Sequence, residues 1–307
     1  MFTNVIAAVD GFDGGRDAVA LAAALTSGRL TLVGVHPEDP HRTRASLEGF
    51  WRAQHDDLLR ALEIERDRSA PGADVVIVGD TSPARALHRV AEEREADLLV
   101  LGSAHHGAAG RITAGDVGRA VLHGAPCPVA IAPKRLRRAE LATVAVAVDG
   151  SPESRAALEV AARLVHERGA ELRVLVAWEE PSALIAVGTA TAMELVAIEE
   201  EHRDAAEELL RQTLTALPEA GGEVLRGHPG PAIAAACEGA DLLVVGSRGW
   251  GPARRLALGS TSDFLVHHAP CAVLVVPRPA GELAAEPAAQ RAAAAAPASA
   301  PTAAAAG

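Results

Sequence analysis

The chain has 307 residues, enough for two ordinary domains, and a formal net charge of -11. That balance argues against general nucleic-acid binding, which rests on clustered cations neutralising many phosphates. Although 49% of the residues are hydrophobic, alanine inflates the figure, and no unbroken apolar run reaches the roughly 18 to 20 residues of a membrane span. Three cysteines, Cys127, Cys237 and Cys271, and an opening that lacks a secretory pattern lead to the expectation of a cytoplasmic protein without disulfides.

In chain order, the first half offers VIAAVD, LTLVGV, DVVIVG, DLLVLG and PVAIAP as strands. Between them lie helical stretches, one of which carries Phe50 and Trp51, read as core packing in preference to a stacking platform. The basic run KRLRRAEL then reads as a solvated linker. The second half offers VAVAVD, ELRVLVA, EVLRG, DLLVVG and AVLVVP, with ESRAALEVAARLVHER and EEEHRDAAEELLRQTLTAL as intervening helices. Short, continuously apolar strands alternating with helices predict a parallel α/β sheet covered on both faces.

The halves repeat each other. VIAAVDG at 5 to 11 returns as VAVAVDG at 144 to 150, ADLLVLGS at 96 to 103 as ADLLVVGS at 240 to 247, and HGAPCPVAIAP at 123 to 133 as HHAPCAVLVVP at 267 to 277. A tandem duplication follows, with expected units at 1–137 and 138–279. From 280 to 307 the Ala/Pro-rich composition cannot bury enough surface to offset ordering entropy, and a disordered tail is expected.

The richest segment for function is GSRGWGPARRLALGSTS, Gly246 to Ser262, between the strand-like ADLLVV and a helical SDFLVHHA. Glycines past a parallel strand let backbone approach a polyphosphate, and the next helix N-terminus offers unpaired N–H groups and a positive dipole end. Arg254 and Arg255 add cations that could steer an anion inward. In a doubly wound sheet ligands bind where strand order reverses, so Asp149, Gly150 and Ser151 after the first strand should converge with this loop.

The second half resembles the universal stress protein family, whose ATP-binding members carry glycine, two residues, glycine, nine residues, then glycine with serine or threonine. Gly246, Gly249, Gly259 and Ser260 match that spacing, and VAVDGS from Val146 and APC from Ala269 extend the likeness. The resemblance implies two Rossmann-like, adenine nucleotide alpha hydrolase-like domains, each a five-stranded parallel sheet of order 3-2-1-4-5, with ATP between strands one and four and Mg²⁺ arriving on the triphosphate. By the same likeness Asp149 and Gly150 border the nucleoside, and Gly246, Ser247, Arg248, Gly249 and Gly251 wrap the triphosphate. Gly259, Ser260 and Thr261 then close the phosphate site. Fifth strands of such proteins pair across a two-fold axis; Pro128–Ala132 and Ala272–Val276 could pair within one chain, with a homodimer also possible.

The first half departs from the pattern: His105 replaces the second glycine, and Asp116 follows Gly115 where serine or threonine is expected. A carboxylate beside phosphate repels it. A weak or empty first site is expected, with Asp10, Gly11, Gly102, Gly107 and Gly115 as its remaining frame.

Several enzyme classes drop out. Lys134 is the only lysine, which removes P-loop and protein-kinase chemistry, and neither a G-x-S-x-G elbow nor any tyrosine is present. The adjacent pairs His105–His106 and His267–His268 diverge on a helix and lack chelating spacing, so no metal site and no catalytic residue is assigned. The sequence therefore reads as an ATP-binding regulatory sensor of the stress response. Slow ATP hydrolysis or self-phosphorylation through Asp149 or a loop hydroxyl, and a nucleotide-independent scaffold, are the alternatives.

Overall fold

A computed structural model describes residues 2–36, 48–103, 112, 114–136, 140–179, 192–247 and 258–277, with backbone alone at 48–51 and 192–195. The first half runs β1 (Phe2–Ala8), α1 (Asp13–Leu25), β2 (Thr26–His36), α2 (Glu48–Ser69), β3 (Asp74–Gly79), α3 (Pro83–Glu93), β4 (Leu98–Gly102), α4 (Asp116–Leu122) and β5 (Val129–Ala132). The second runs β6 (Thr143–Ala147), α5 (Pro152–Arg168), β7 (Glu171–Trp178), α6 (Ala192–Ala216), β8 (Gly221–Arg226), α7 (Pro229–Ala236), β9 (Leu242–Gly246), α8 (Ser260–His268) and β10 (Ala272–Val276).

All strands join one sheet of order β3-β2-β1-β4-β5-β10-β9-β6-β7-β8. Within each half the order is 3-2-1-4-5 and neighbours are parallel. Where the halves meet, β5 and β10 run antiparallel, with Val273 opposite Ile131, Leu274 opposite Ala130 and Val275 opposite Val129.

Alternation along the strands feeds two apolar layers. Val5, Ala7, Leu98, Val100, Val144, Val146 and Leu274 face a layer completed by α1, α2, α5 and α6. Ile6, Leu99, Leu101, Ala145, Leu243 and Val273 face the layer of α3, α4, α7 and α8. Ile6, Leu99 and Leu243 are wholly buried, and each such side chain stabilises the fold by about 1.5–3 kcal/mol.

A repeated polar clasp fixes the opposite end of the first strand to the fourth. Asp97 accepts from Thr3 N at 2.7 Å and Asn4 N at 3.0 Å. Its counterpart Asp241 accepts from Ala142 N at 2.8 Å and Thr143 N at 2.9 Å. β8 begins two residues before the predicted EVLRG, because Gly222 leaves room for α6: an added Cβ would lie 2.6 Å from Leu210 Cδ1.

The entries to the two equivalent helices differ. Ser151 caps α5, accepting from Ser154 N at 3.1 Å, Pro152 opens the first turn, and Gly169 at φ 64° closes the helix. At the matching position of α1 stands Phe12, which supplies no side-chain cap and is 62% exposed.

Candidate functional site

The carboxyl ends of β6, β7 and β9 surround a cleft of about 420 Å³, within the size range of small-molecule sites. One end is apolar, built from Ala147, Ala177, Pro229 and Ile233. The other is polar, built from Gly246, Ser247 and the start of α8 at Gly259 to Ser262, with Asp149, Ser151 and Glu153 at its side. Such an arrangement accommodates a ligand with an apolar or planar body and a charged group at one end.

The polar end is held by its own hydrogen bonds. Ser262 Oγ donates to Gly246 O at 2.7 Å, tying the first turn of α8 to the end of β9. Ser154 Oγ donates to Ser151 O at 3.0 Å and accepts from Asp149 N at 3.3 Å. Asp149 Oδ1 accepts from Ser151 N at 3.0 Å and from Ser151 Oγ at 2.5 Å. Desolvation pulls the Asp149 pKa upward, but these donors together outweigh it, and the net shift is downward. Asp149 is therefore an ionised acceptor at neutral pH.

Ser247 is different. Its side chain is buried, and its hydroxyl has no hydrogen-bond partner among the described residues. A buried, unpaired hydroxyl costs stability unless something else satisfies it. This one lies in the wall of the cleft.

The structure brings together Asp149, Gly246, Ser247, Gly259, Ser260 and Thr261 from the sequence-derived set. Gly150 does not line the cleft; at φ 79° it turns the backbone between β6 and α5. Arg248, Gly249 and Gly251 lie outside the described residues, as do Arg254, Arg255, His105, His106, Gly107, the side chains of Phe50 and Trp51, and the stretch from 280 to 307. Sequence reasoning missed the apolar end. Ala177 is the penultimate residue of β7 and Pro229 opens α7, and nothing local in either identity marks it as a wall.

Gly246 has a second reason to be glycine. An added Cβ would stand 2.6 Å from the carbonyl carbon of Glu153 and 2.7 Å from its oxygen, so α5 packs directly on the strand end. Gly102 meets Gly14 of α1 in the same way.

In the first half Asp10 accepts from Phe12 N at 3.0 Å, repeating the Asp149 turn. The hydroxyls do not recur. Aligning the repeats places Phe12, Gly15, Asp116, Val117 and Gly118 where Ser151, Ser154, Ser260, Thr261 and Ser262 stand in the second half. Val117 is 45% exposed and Asp116 lies at the exposed start of α4.

Elsewhere, His267 and His268 each direct Nδ1 to a carbonyl four residues back, Asp263 O at 2.6 Å and Phe264 O at 2.8 Å, and so serve their helix. No group of three or more His, Cys, Asp or Glu among the described residues could hold a metal ion. No described helix is long and apolar enough to cross a membrane.

Comparison with known proteins agrees with the duplicated architecture. The profile of the universal stress protein family matches residues 1–133 and again 141–277. A universal stress protein of Mycobacterium tuberculosis is 28% identical over 287 residues, covering 87% of this chain and 95% of that protein. One from Thermus aquaticus is 35% identical over 136 residues, covering 44% of this chain and 97% of its own length. Among solved structures, a universal stress protein from Archaeoglobus fulgidus superposes with a TM-score of 0.65 at 20% identity, over 90% of this chain and 98% of that one. With both halves matched, the chain belongs to the universal stress protein family.

Proposed function

We propose that the protein is an ATP-binding regulatory sensor whose working site is the second-half cleft. The observation that carries this reading is the buried Ser247 hydroxyl, unpaired among the described residues, beside the N-terminus of α8. A phosphate oxygen there would satisfy the hydroxyl and meet the unpaired N–H groups of the helix start. Ala147, Ala177, Pro229 and Ile233 supply an apolar surface for the base. Arg248, Gly249 and Gly251 would complete the phosphate wrap on the motif's spacing.

Asp149 and Glu153 put two carboxylates in the same cleft. A bare triphosphate would be repelled by them, which favours ATP arriving with Mg²⁺ bound chiefly through its phosphates. Turnover is the weaker reading. A general base works best with a pKa near the operating pH, and the donors around Asp149 move it the other way.

In this reading the units are 1–137 and 138–279, joined at the β5–β10 seam, in a cytoplasmic protein. Fifth strands that pair within the chain leave a homodimer to form through another surface. The first half, without the five hydroxyls and with Asp116 at the helix start, is the weak or empty site.

Calorimetric titration with Mg-ATP tests this directly. About one site per chain is expected, with Ser260→Asp weakening it at least tenfold, as a carboxylate near phosphate should. Two equal sites or an unaffected variant would overturn the asymmetry. Binding of no nucleotide at millimolar concentration would leave the scaffold reading in its place, whereas phosphate release abolished by Asp149→Asn would establish the hydrolytic one.

A further inference from the structure

The first half reaches the second-half site through two backbone amides. Ile112 N donates to Ala269 O at 3.1 Å, and Ala114 N donates to Val266 O at 3.1 Å. Val266 belongs to the last turn of α8, where helix carbonyls have no partner within the helix. Donors from the other half therefore satisfy the C-terminal end of the helix whose first turn forms the polar end of the cleft.

The side chains reinforce this grip. Ile112 is wholly buried and Ala114 is buried, in the same apolar cluster as Leu265, Val266 and Ala269. At its other end α8 is tied to β9 by the Ser262 Oγ bond to Gly246 O, 2.7 Å long. A nine-residue helix is a rod of about 13 Å, so its tilt is set by these two attachments, one on each side of the duplication.

From this geometry we infer that Ile112 and Ala114 are positioning residues for the second-half site, acting through α8. The inference rests on the reading of that cleft as a nucleotide site. It also gives the first half a purpose of its own, since two residues just before α4, the helix that has lost the hydroxyls of a phosphate site, brace the helix that keeps them. Coupling of this kind is reciprocal, so a ligand that orders the first turn of α8 must also tighten the hold of Ile112 and Ala114 on its last turn.

The test compares Ile112→Ala with Ile112→Val and with Leu87→Ala. Leu87 is a buried residue of α3 in the same half and the same apolar cluster. Mg-ATP affinity is read by calorimetry, and backbone hydrogen exchange at residues 262–264 is read without nucleotide. Ile112→Ala should weaken ATP by about 5- to 10-fold and speed exchange at the start of α8. Ile112→Val should restore affinity to within about twofold of the parent, and Leu87→Ala should leave both readouts near the parent values despite its cost in stability.

Equal losses of affinity in Ile112→Ala and Leu87→Ala would overturn the inference, as would unchanged exchange at 262–264. Should Ile112→Ala fail to fold, the unmodified chain decides: Mg-ATP should slow exchange of the Ile112 and Ala114 amides at least threefold, and no slowing refutes the bracing. If the parent chain binds no ATP, the functional reading falls, and the exchange comparison at 262–264 still decides whether the brace positions α8.

Discussion

Ser103 and Ser247 occupy the same place in the two halves, yet only Ser103 gives its hydroxyl to the sheet. Ser103 Oγ donates to Ala132 O at 2.8 Å, while Ser247 Oγ is buried without a partner among the described residues. Two copies of one position have been put to different uses, one structural and one facing a cleft.

Exchanging each serine for alanine should separate those uses. Ser103→Ala is expected to cost about 1 kcal/mol of stability by removing a satisfied buried bond. Ser247→Ala should leave chemical denaturation almost unchanged and weaken Mg-ATP roughly tenfold, the scale of a hydrogen bond to a charged group. Denaturant titrations and calorimetry on both variants give the answer; a stability loss at Ser247 with intact affinity would refute it.

The glycines that end β4 and β9 should behave as packing residues regardless of ligand. Gly246→Ala drives a methyl into the Glu153 backbone and Gly102→Ala drives one into Gly14, and overpacking against backbone costs about 1–3 kcal/mol. Both variants should unfold at lower urea concentration without nucleotide present. A tolerated Gly102→Ala would show that α1 can retreat from the strand.

Asp149 predicts a direction with pH. Its folded pKa lies below that of an unfolded aspartate, about 3.9. The stabilisation it provides is therefore complete above that value and is lost as pH falls through the folded pKa. Urea denaturation should show the parent ahead of Asp149→Asn by a constant margin between pH 7 and 5, with the margin closing below pH 4. A margin that grows on acidification would contradict the assignment of Asp149 as a stabilised carboxylate.

The three cysteines should be silent in the native protein. All are buried. Burial, with a smaller push from Asp97, takes the Cys127 thiol up to about 12. A hydrogen bond with Cys237, together with burial, holds Cys271 well above its ordinary value. Since the thiolate is the reactive form, a disulfide reagent at pH 8 should label none of them before unfolding and all three after. Rapid stoichiometric labelling of any one in the folded state would count against this.

Much of the fold was legible because strand apolarity, helix periodicity and the internal repeat all pointed to the same arrangement. The convergence of Asp149 with Gly246, Ser247, Gly259, Ser260 and Thr261 was legible too, since strand order brings those loops to one end of the sheet. Ala177 was not, because in a strand buried on both faces the sequence carries no mark of which side meets the cleft. Gly246 illustrates a different limit. Its spacing suggested a ligand, but the pressure of the Glu153 backbone is visible only once α5 is packed. Ile112 escaped notice for a similar reason: a single isoleucine amid alanine, glycine and polar residues has no periodicity, and its partners, Val266 and Ala269, lie in the other half.

The antiparallel seam between β5 and β10 turns a duplicated chain into an object with two opposed rims. Because the strands of the two halves point in opposite directions, the cleft at the ends of β6 and β9 opens along one margin of the sheet, while Asp10, Phe12 and Asp116 occupy the other. The two rims therefore face opposite ways, so a molecule held at the cleft would leave the rim stripped of hydroxyls uncovered.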